Sequence, residues 1–155
     1  MKFNVLLIIL ISSAKFAYCQ DQTVIAKFVV LDARNNHTDV TQFYTSNKSY
    51  FVFYLTPDKR VYFGSIVSKS NQQSYGEISE LEQSSAPQTQ TAYSTHTFDF
   101  KWSYSNSYDN HQGTAKVHLV KIDKPAGIAF ELRIIPENLD ILEYKGFMEG
   151  SLNLN

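Results

Sequence analysis

The chain has 155 residues, and its 14 Lys and Arg side chains nearly balance its 15 Asp and Glu side chains. Because no basic stripe could neutralise phosphates, the composition excludes a nucleic-acid binder and a polybasic membrane patch. The length predicts a single domain, and the 10 Tyr, 11 Phe and one Trp predict an ordered chain rich in β-strands.

The N-terminus carries the pattern of a secretory signal peptide, residues 1–19. A basic residue precedes the apolar run 5–11, and the small side chains of Ala17 and Cys19 occupy the two positions that signal peptidase reads. The apolar run is far shorter than the ~20 residues with which a helix crosses a bilayer. We therefore expect cleavage before Gln20, a secreted or periplasmic protein, and no transmembrane anchor.

Cys19 is the only cysteine of the chain and allows three interpretations. In the favoured one it is the last residue of the leader, so the mature domain, 20–155, contains no cysteine. In the second it becomes the lipid-bearing first residue, although Tyr18 stands where such signals normally have a small residue. In the third, cleavage occurs earlier and leaves a free thiol. The first two interpretations exclude an internal disulfide, so the domain depends on core packing alone.

Short strands separated by polar turns are predicted for the first half of the domain. Runs of β-branched and aromatic residues indicate the strands, and Pro57 with Asp58 predicts a tight turn between two of them. These strands are 23–31, 40–45 as a short edge strand, 49–56 and 60–69. Residues 74–81 fit either a further strand or one helical turn, and the polar residues 82–91 predict a loop.

The clearest strand pattern lies at 95–104, where aromatic and polar residues alternate. Side chains along a strand point alternately to opposite faces, so Phe98, Phe100, Trp102 and Tyr104 form a stripe on one face of a half-buried strand. Further strands are predicted at 113–122, 128–135 and 139–148.

Eight or nine short strands without a long helix predict an all-β fold, a single antiparallel barrel or sandwich. A closed barrel is favoured because aromatic strands with open edges invite aggregation. The strand count and size are similar to those of lipocalin-like barrels, in architecture only. The Gly-x-Trp motif of a lipocalin's first strand is absent, since the only tryptophan, Trp102, follows Lys101.

No motif for nucleophilic catalysis or metal binding is present, so the sequence predicts no catalytic residue, no metal and no cofactor. Gly-x-Ser-x-Gly, His-x-His, HExxH and CxxC are all missing. A metal site that combines Asp109, His111 and His118 across a hairpin is conceivable. Solvated loop and strand histidines are the favoured interpretation.

Three carboxylates on late strands, Glu131, Glu143 and Glu149, leave open a glycan-cleaving enzyme, which would require a facing pair of carboxylates. The simpler expectation is structural. Glu131 and Arg133 are two residues apart on one face of a strand and are predicted to form a surface ion pair.

The aromatic stripe and the loop after it allow three interpretations. The stripe is core packing, or it lines a cavity for an apolar ligand, or it stacks on sugar rings while Asn106, Asp109 and Asn110 bond their hydroxyls. The predicted ligand-binding residues are Phe98, Phe100, Trp102, Tyr104, Asn106, Tyr108 and Asp109.

These observations favour an exported, non-catalytic binding protein for a small apolar ligand or a glycan. The alternatives are a structural or accessory component of a surface, secretion or polysaccharide-handling system, and a small secreted enzyme that acts on glycans. Asn36 and Asn47 begin Asn-x-Ser/Thr sequons, which accept glycans only in a eukaryotic secretory route. The sequence leaves the oligomeric state open.

Overall fold

The computed structural model describes residues 22–137 and 140–154. The predicted signal peptide, 1–19, with its cysteine, lies outside the described residues.

The described chain is almost entirely β-structure. It contains nine strands, one six-residue helix, α1 (Thr41–Ser46), and a short 3-10 turn (Ser68–Ser70). The strands are β1 (Thr23–Asn35), β2 (Thr38–Asp39), β3 (Ser49–Leu55), β4 (Val61–Val67), β5 (Gln72–Ala86), β6 (Ser94–Asn106), β7 (Gln112–Lys124), β8 (Gly127–Pro136) and β9 (Leu142–Gly150).

Eight of these strands form one closed antiparallel barrel. From β3 onward each strand pairs with the next along the chain, and β1 pairs with both β3 and β9, which closes the sheet. The two-residue β2 is the ninth strand and pairs with the C-terminal end of β1, at Arg34 and Asn35. The predicted all-β architecture is confirmed, and the fold is the barrel rather than the sandwich.

The alternation along the strands decides which side chains fill the barrel. On β6, Phe98, Phe100 and Trp102 are each 4 % exposed, whereas Asp99 between them faces solvent. Other strands add inward aromatic and aliphatic side chains in the same way, so the middle of the barrel is a packed core. Its largest fully buried members are Phe28, Phe51, Phe53, Phe63, Phe130 and Leu119.

The two ends of the barrel differ. At one end, called the open end here, lie α1 and the connection 107–111 between β6 and β7. At the far end the chain after β9 folds back, where the Ser151 amide donates to the carbonyl of Ile25 at 3.2 Å. Leu152 is 7 % exposed and belongs to the core, so the far end is covered by the chain's own last residues.

Residues 40–45, predicted as an edge strand, instead form most of α1. The Thr41 amide donates to Asp39 Oδ1 at 2.9 Å, and Thr41 Oγ1 accepts from the Ala33 amide at 2.9 Å. The start of the helix is therefore fixed by polar contacts with β1 and β2, which strand propensity alone does not register.

Strand β5 runs further than the sequence pattern indicates. Residues 74–81 are strand, not a helical turn, and the polar stretch 82–91 is divided, with 82–86 continuing β5 and the remainder connecting it to β6. The continuation pairs with β6 as far as Ala86 opposite Thr95, after a register shift between Ser79 and Glu82. Backbone pairing does not require apolar side chains, so an exposed polar extension still forms a ladder.

Both predicted sequons lie near the open end, and their amide nitrogens are used within the fold. Asn36 Nδ2 donates to Asp140 Oδ1 at 2.5 Å, and Asn47 Nδ2 donates to the Phe43 carbonyl at 2.7 Å.

Candidate ligand-binding cup

A cavity of about 510 Å³ opens at the end of the barrel that carries α1. Its walls are residues near the open ends of β3, β4, β5, β6, β8 and β9, completed by Phe43 and Tyr44 of α1 and by the connection 107–111. We call this cavity the cup.

Aromatic rings follow one another around the cup and the core beneath it. Eight rings form an unbroken series in which neighbouring centroids are 4.7 to 6.3 Å apart. In order, they belong to Phe43, Tyr44, Tyr144, Phe51, Phe63, Trp102, Tyr104 and His111. Most of these contacts are edge-to-face or tilted, the geometry that aromatic pairs prefer.

The structure separates the predicted aromatic stripe into two parts. Phe98 and Phe100 lie in the packed core and do not line the cup, whereas Trp102 and Tyr104 do. The Trp102 indole is 4 % exposed and its Nε1 donates to the carbonyl of Phe63 at 3.0 Å. Its ring is therefore fixed within the cup wall and is not part of an exposed planar row.

The remaining predicted residues, Asn106, Tyr108 and Asp109, also line the cup. Five of the seven predicted ligand-binding residues are thus brought together at one site. Tyr108 is 55 % exposed and stands at the mouth. Asp109 Oδ1 accepts from the backbone amide of His111 at 2.9 Å, which orients the carboxylate within the connection.

Asn106 is the most deeply placed polar side chain of this group, at 9 % exposure. Ser74 Oγ donates to its side-chain oxygen at 2.6 Å, and its backbone amide donates to the His111 carbonyl at 2.8 Å. Within the described part of the chain its side-chain Nδ2 has no hydrogen-bond acceptor. This nitrogen is not one of the fully buried polar atoms that lack a partner, so it is open to water or to a ligand.

Two tyrosine hydroxyls meet on the opposite wall. Tyr144 Oη donates to Tyr44 Oη at 2.8 Å, which leaves the Tyr44 proton free to donate elsewhere. Burial raises the pKa of Tyr144 well above the usual value, and burial also raises the pKa of Tyr44. Both groups therefore stay neutral at physiological pH.

The third cup tyrosine, Tyr104, has a raised pKa for a similar reason. Desolvation is the main cause, and nearby Tyr108 and the negative charge of Asp109 add to it. The mouth of the cup thus combines neutral hydroxyls with one carboxylate.

The late carboxylates do not form a catalytic pair. Glu131 accepts from Lys145 Nζ at 2.9 Å, and Arg133 Nε lies 3.7 Å from Glu143 Oε1. The predicted Glu131–Arg133 ion pair is wrong. Each residue instead pairs with the residue directly opposite it on β9, because opposite side chains are closer than neighbours two apart on one strand.

The conceivable metal site does not assemble either. His118 Nδ1 lies 2.7 Å from Asp99 Oδ1 on the outer wall of the barrel, whereas Asp109 and His111 line the cup. Over residues 22–137 and 140–154, no group of three or more His, Cys, Asp or Glu side chains is arranged to hold a metal ion.

Sequence reasoning missed several cup residues. Ser65 and Ser74 are small polar side chains on inward positions of β4 and β5, where a core pattern predicts apolar residues. Phe43 and Tyr44 reach the cup only because residues 41–46 are helical. The alternation of β9 was the one usable signal, since it places Tyr144 on the same face as Leu142 and Met148.

Comparison with known protein families, curated proteins and solved structures finds no match to this chain. Within the described residues, no helix combines the length and apolar character that crossing a membrane requires.

Proposed function

We propose that this is an exported, non-catalytic binding protein that holds a small organic ligand in the cup. The observation that carries the proposal is the cup itself, a cavity of about 510 Å³ at one end of an otherwise packed barrel. Ligand sites typically have volumes of ~300–1,000 Å³, with aromatic walls and a few convergent polar groups.

The lining favours a ligand that has both a flat apolar part and hydrogen-bonding groups. The rings of Tyr44, Tyr104 and Tyr144 offer apolar surface, and the Nδ2 of Asn106 and the hydroxyl of Ser65 offer polar contacts. A purely aliphatic chain would leave these polar groups without partners, which costs binding free energy. A cyclic ligand with polar substituents, a sugar included, uses both kinds of surface.

The alternative functions have less support. Closure of the barrel removes most of the unpaired strand edges through which a structural or accessory component would contact its neighbours. The late carboxylates Glu131, Glu143 and Glu149 lie on the outer wall, each within 4 Å of a basic side chain, not facing one another in a cleft.

The first test is a thermal-shift screen of the purified protein against oligosaccharides, retinoids, fatty acids, small aromatic compounds and divalent metals. A ligand that binds only the native state stabilises it by ~2.7 kcal/mol at 100 times its Kd. We expect a rise in Tm for cyclic ligands with polar groups. Since Trp102 is the only tryptophan and lines the cup, its fluorescence should change with the same ligands.

A variant that fills the cup makes the test specific. Ser65→Trp places a large side chain inside the cup, whereas Ile66→Trp places the same side chain on the outer wall one residue further along β4. We expect the first variant to lose the ligand-induced shift and the second to keep it. An unchanged shift in Ser65→Trp, or no shift with any compound in the native protein, would overturn the proposal.

A further inference from the structure

The described lining of the cup contains a carboxylate but no lysine or arginine. Asp109 is the only acidic side chain among the described lining residues, and no lysine or arginine is among them. Lys48 and Lys69 lie on neighbouring parts of the open end but do not line the cup. An anionic ligand would therefore lose its hydration without gaining a permanent cationic partner, and it would face the Asp109 carboxylate.

The aromatic walls also favour a positively charged ligand. The face of an aromatic ring carries negative electrostatic potential and attracts a cation placed within ~6 Å of its centroid. Tyr104 is close enough to Tyr108 and to Asp109 for electrostatic coupling, since both contribute to its raised pKa. The mouth therefore combines ring faces with a carboxylate, a combination suited to an organic cation.

The polar groups deeper in the cup can accept hydrogen bonds from an organic cation. An ammonium group donates up to three hydrogen bonds and needs acceptors for them. The hydroxyl oxygens of Ser65 and Ser74 and the carboxylate of Asp109 are acceptors on the cup wall. A neutral hydroxyl would be accepted there as well, but it would not gain from the charge of the carboxylate.

We infer that the ligand of the cup is an organic amine that carries a positive charge, with a ring or compact apolar group beside the nitrogen. The inference rests on the proposed function of the cup as a ligand-binding site. It adds the sign of the ligand's charge and names Asp109 as the residue that selects it.

The test is a set of three compounds of nearly equal shape and different charge, phenethylamine, 2-phenylethanol and 3-phenylpropionate, titrated by calorimetry and Trp102 fluorescence. All titrations are run at pH 8. We expect the amine to bind at least ~10-fold more tightly than the alcohol, from cation–π attraction together with the carboxylate. The propionate should bind most weakly.

Asp109→Asn isolates the contribution of the carboxylate. The asparagine keeps a side-chain oxygen that can accept from the His111 amide, so the connection keeps its shape. We expect this variant to bind the amine ~10-fold more weakly and the alcohol unchanged, in line with the loss of one close charge. Glu80→Gln, which removes an exposed carboxylate at the register shift of β5, should change neither Kd.

The outcomes separate this inference from the proposed function. If the alcohol or a neutral sugar binds as tightly as the amine, or if Asp109→Asn leaves amine binding unchanged, the inference is wrong and the cup remains a site for neutral ligands. If none of these compounds and nothing in the wider screen binds, both proposals fall. The comparison of the three compounds uses the native protein, so it does not depend on the folding of a variant.

Discussion

Gly76 on β5 lies so close to the backbone of β6 that no larger residue fits there. A Cβ on Gly76 would lie 1.7 Å from the carbonyl oxygen of Ser103. Gly64 on β4 is buried, but a Cβ there would meet its nearest atoms at 3.5 Å, an ordinary van der Waals distance. Two glycines that look equivalent in the sequence thus have different constraints, because only at Gly76 would a Cβ clash with a backbone atom.

We therefore expect Gly76→Ala to lower the free energy of unfolding by ~2–3 kcal/mol, through the clash with Ser103. Gly64→Ala should change it by less than ~1 kcal/mol, since the added methyl group fits and slightly reduces the entropy of the unfolded chain. Urea denaturation of both variants measures the difference. If both variants lost equal stability, β5 and β6 would have to lie further apart at Gly76 than they do in this structure.

The helix α1 lies beside β1 beyond the point where the pairing of β1 with β3 ends. Strand β3 pairs with β1 only as far as Val29 opposite Tyr50, so the residues of β1 after Val29 have no partner on β3. There the Val40 amide donates to the Ala33 carbonyl at 2.9 Å, and Thr41 Oγ1 accepts from the Ala33 amide. A six-residue helix is not stable alone, so these contacts hold α1 at the rim of the cup.

Removing the hydroxyl of Thr41 should weaken the attachment of α1 to β1. Ala33 is fully buried, so Thr41→Val leaves its amide without a partner, which should cost ~1–3 kcal/mol of stability. Because Phe43 and Tyr44 line the cup from α1, ligand affinity should fall as well.

Thr45→Val is the matched control, since its exposed hydroxyl bonds only carbonyls of α1 itself. A stability change within ~0.5 kcal/mol is expected for such a surface position. If chemical denaturation and ligand titration gave the same result for both threonine variants, the proposed role of Thr41 as the anchor of α1 would be refuted.

Over the whole molecule, closure of the barrel depends on β1 and β9, the first and last strands. Their pairing runs from Ala26 opposite Gly150 to Asn35 opposite Leu142. It contains a register shift between Val30 and Asp32, which adds one residue on β1. Such a bulge sharpens the local twist and helps a strand curve into a barrel.

Closure predicts a specific pattern of amide hydrogen exchange. Amides within the β1–β9 ladder should exchange as slowly as those between β6 and β7, at least ~1,000-fold slower than an unprotected chain. The connection 87–93 should exchange fast and serves as the internal reference. Fast exchange along both β1 and β9, with slow exchange in β6 and β7, would indicate an open sheet.

Much of the fold could be predicted from residue patterns, because alternation is a local property of a strand. The stripe of Phe98, Phe100 and Trp102 correctly indicated one buried face of β6. The pattern failed where a polar contact or a backbone ladder outweighed propensity, at 40–45 and at 82–86. For the site, the pattern indicated β6 and the connection after it but none of the residues contributed by β4, β5 and α1.

By itself, the sequence determined most of the barrel strands and the inward aromatic face of β6, since both depend on residues close together in the chain. The near-neutral charge follows from composition alone. The tertiary structure alone decided that the sheet closes and that a cup forms at one end. The Tyr44–Tyr144 hydrogen bond joins residues 100 positions apart, and Ser74 and Asn106 are 32 apart. Such contacts follow from strand register and barrel curvature, which no local pattern of side chains encodes.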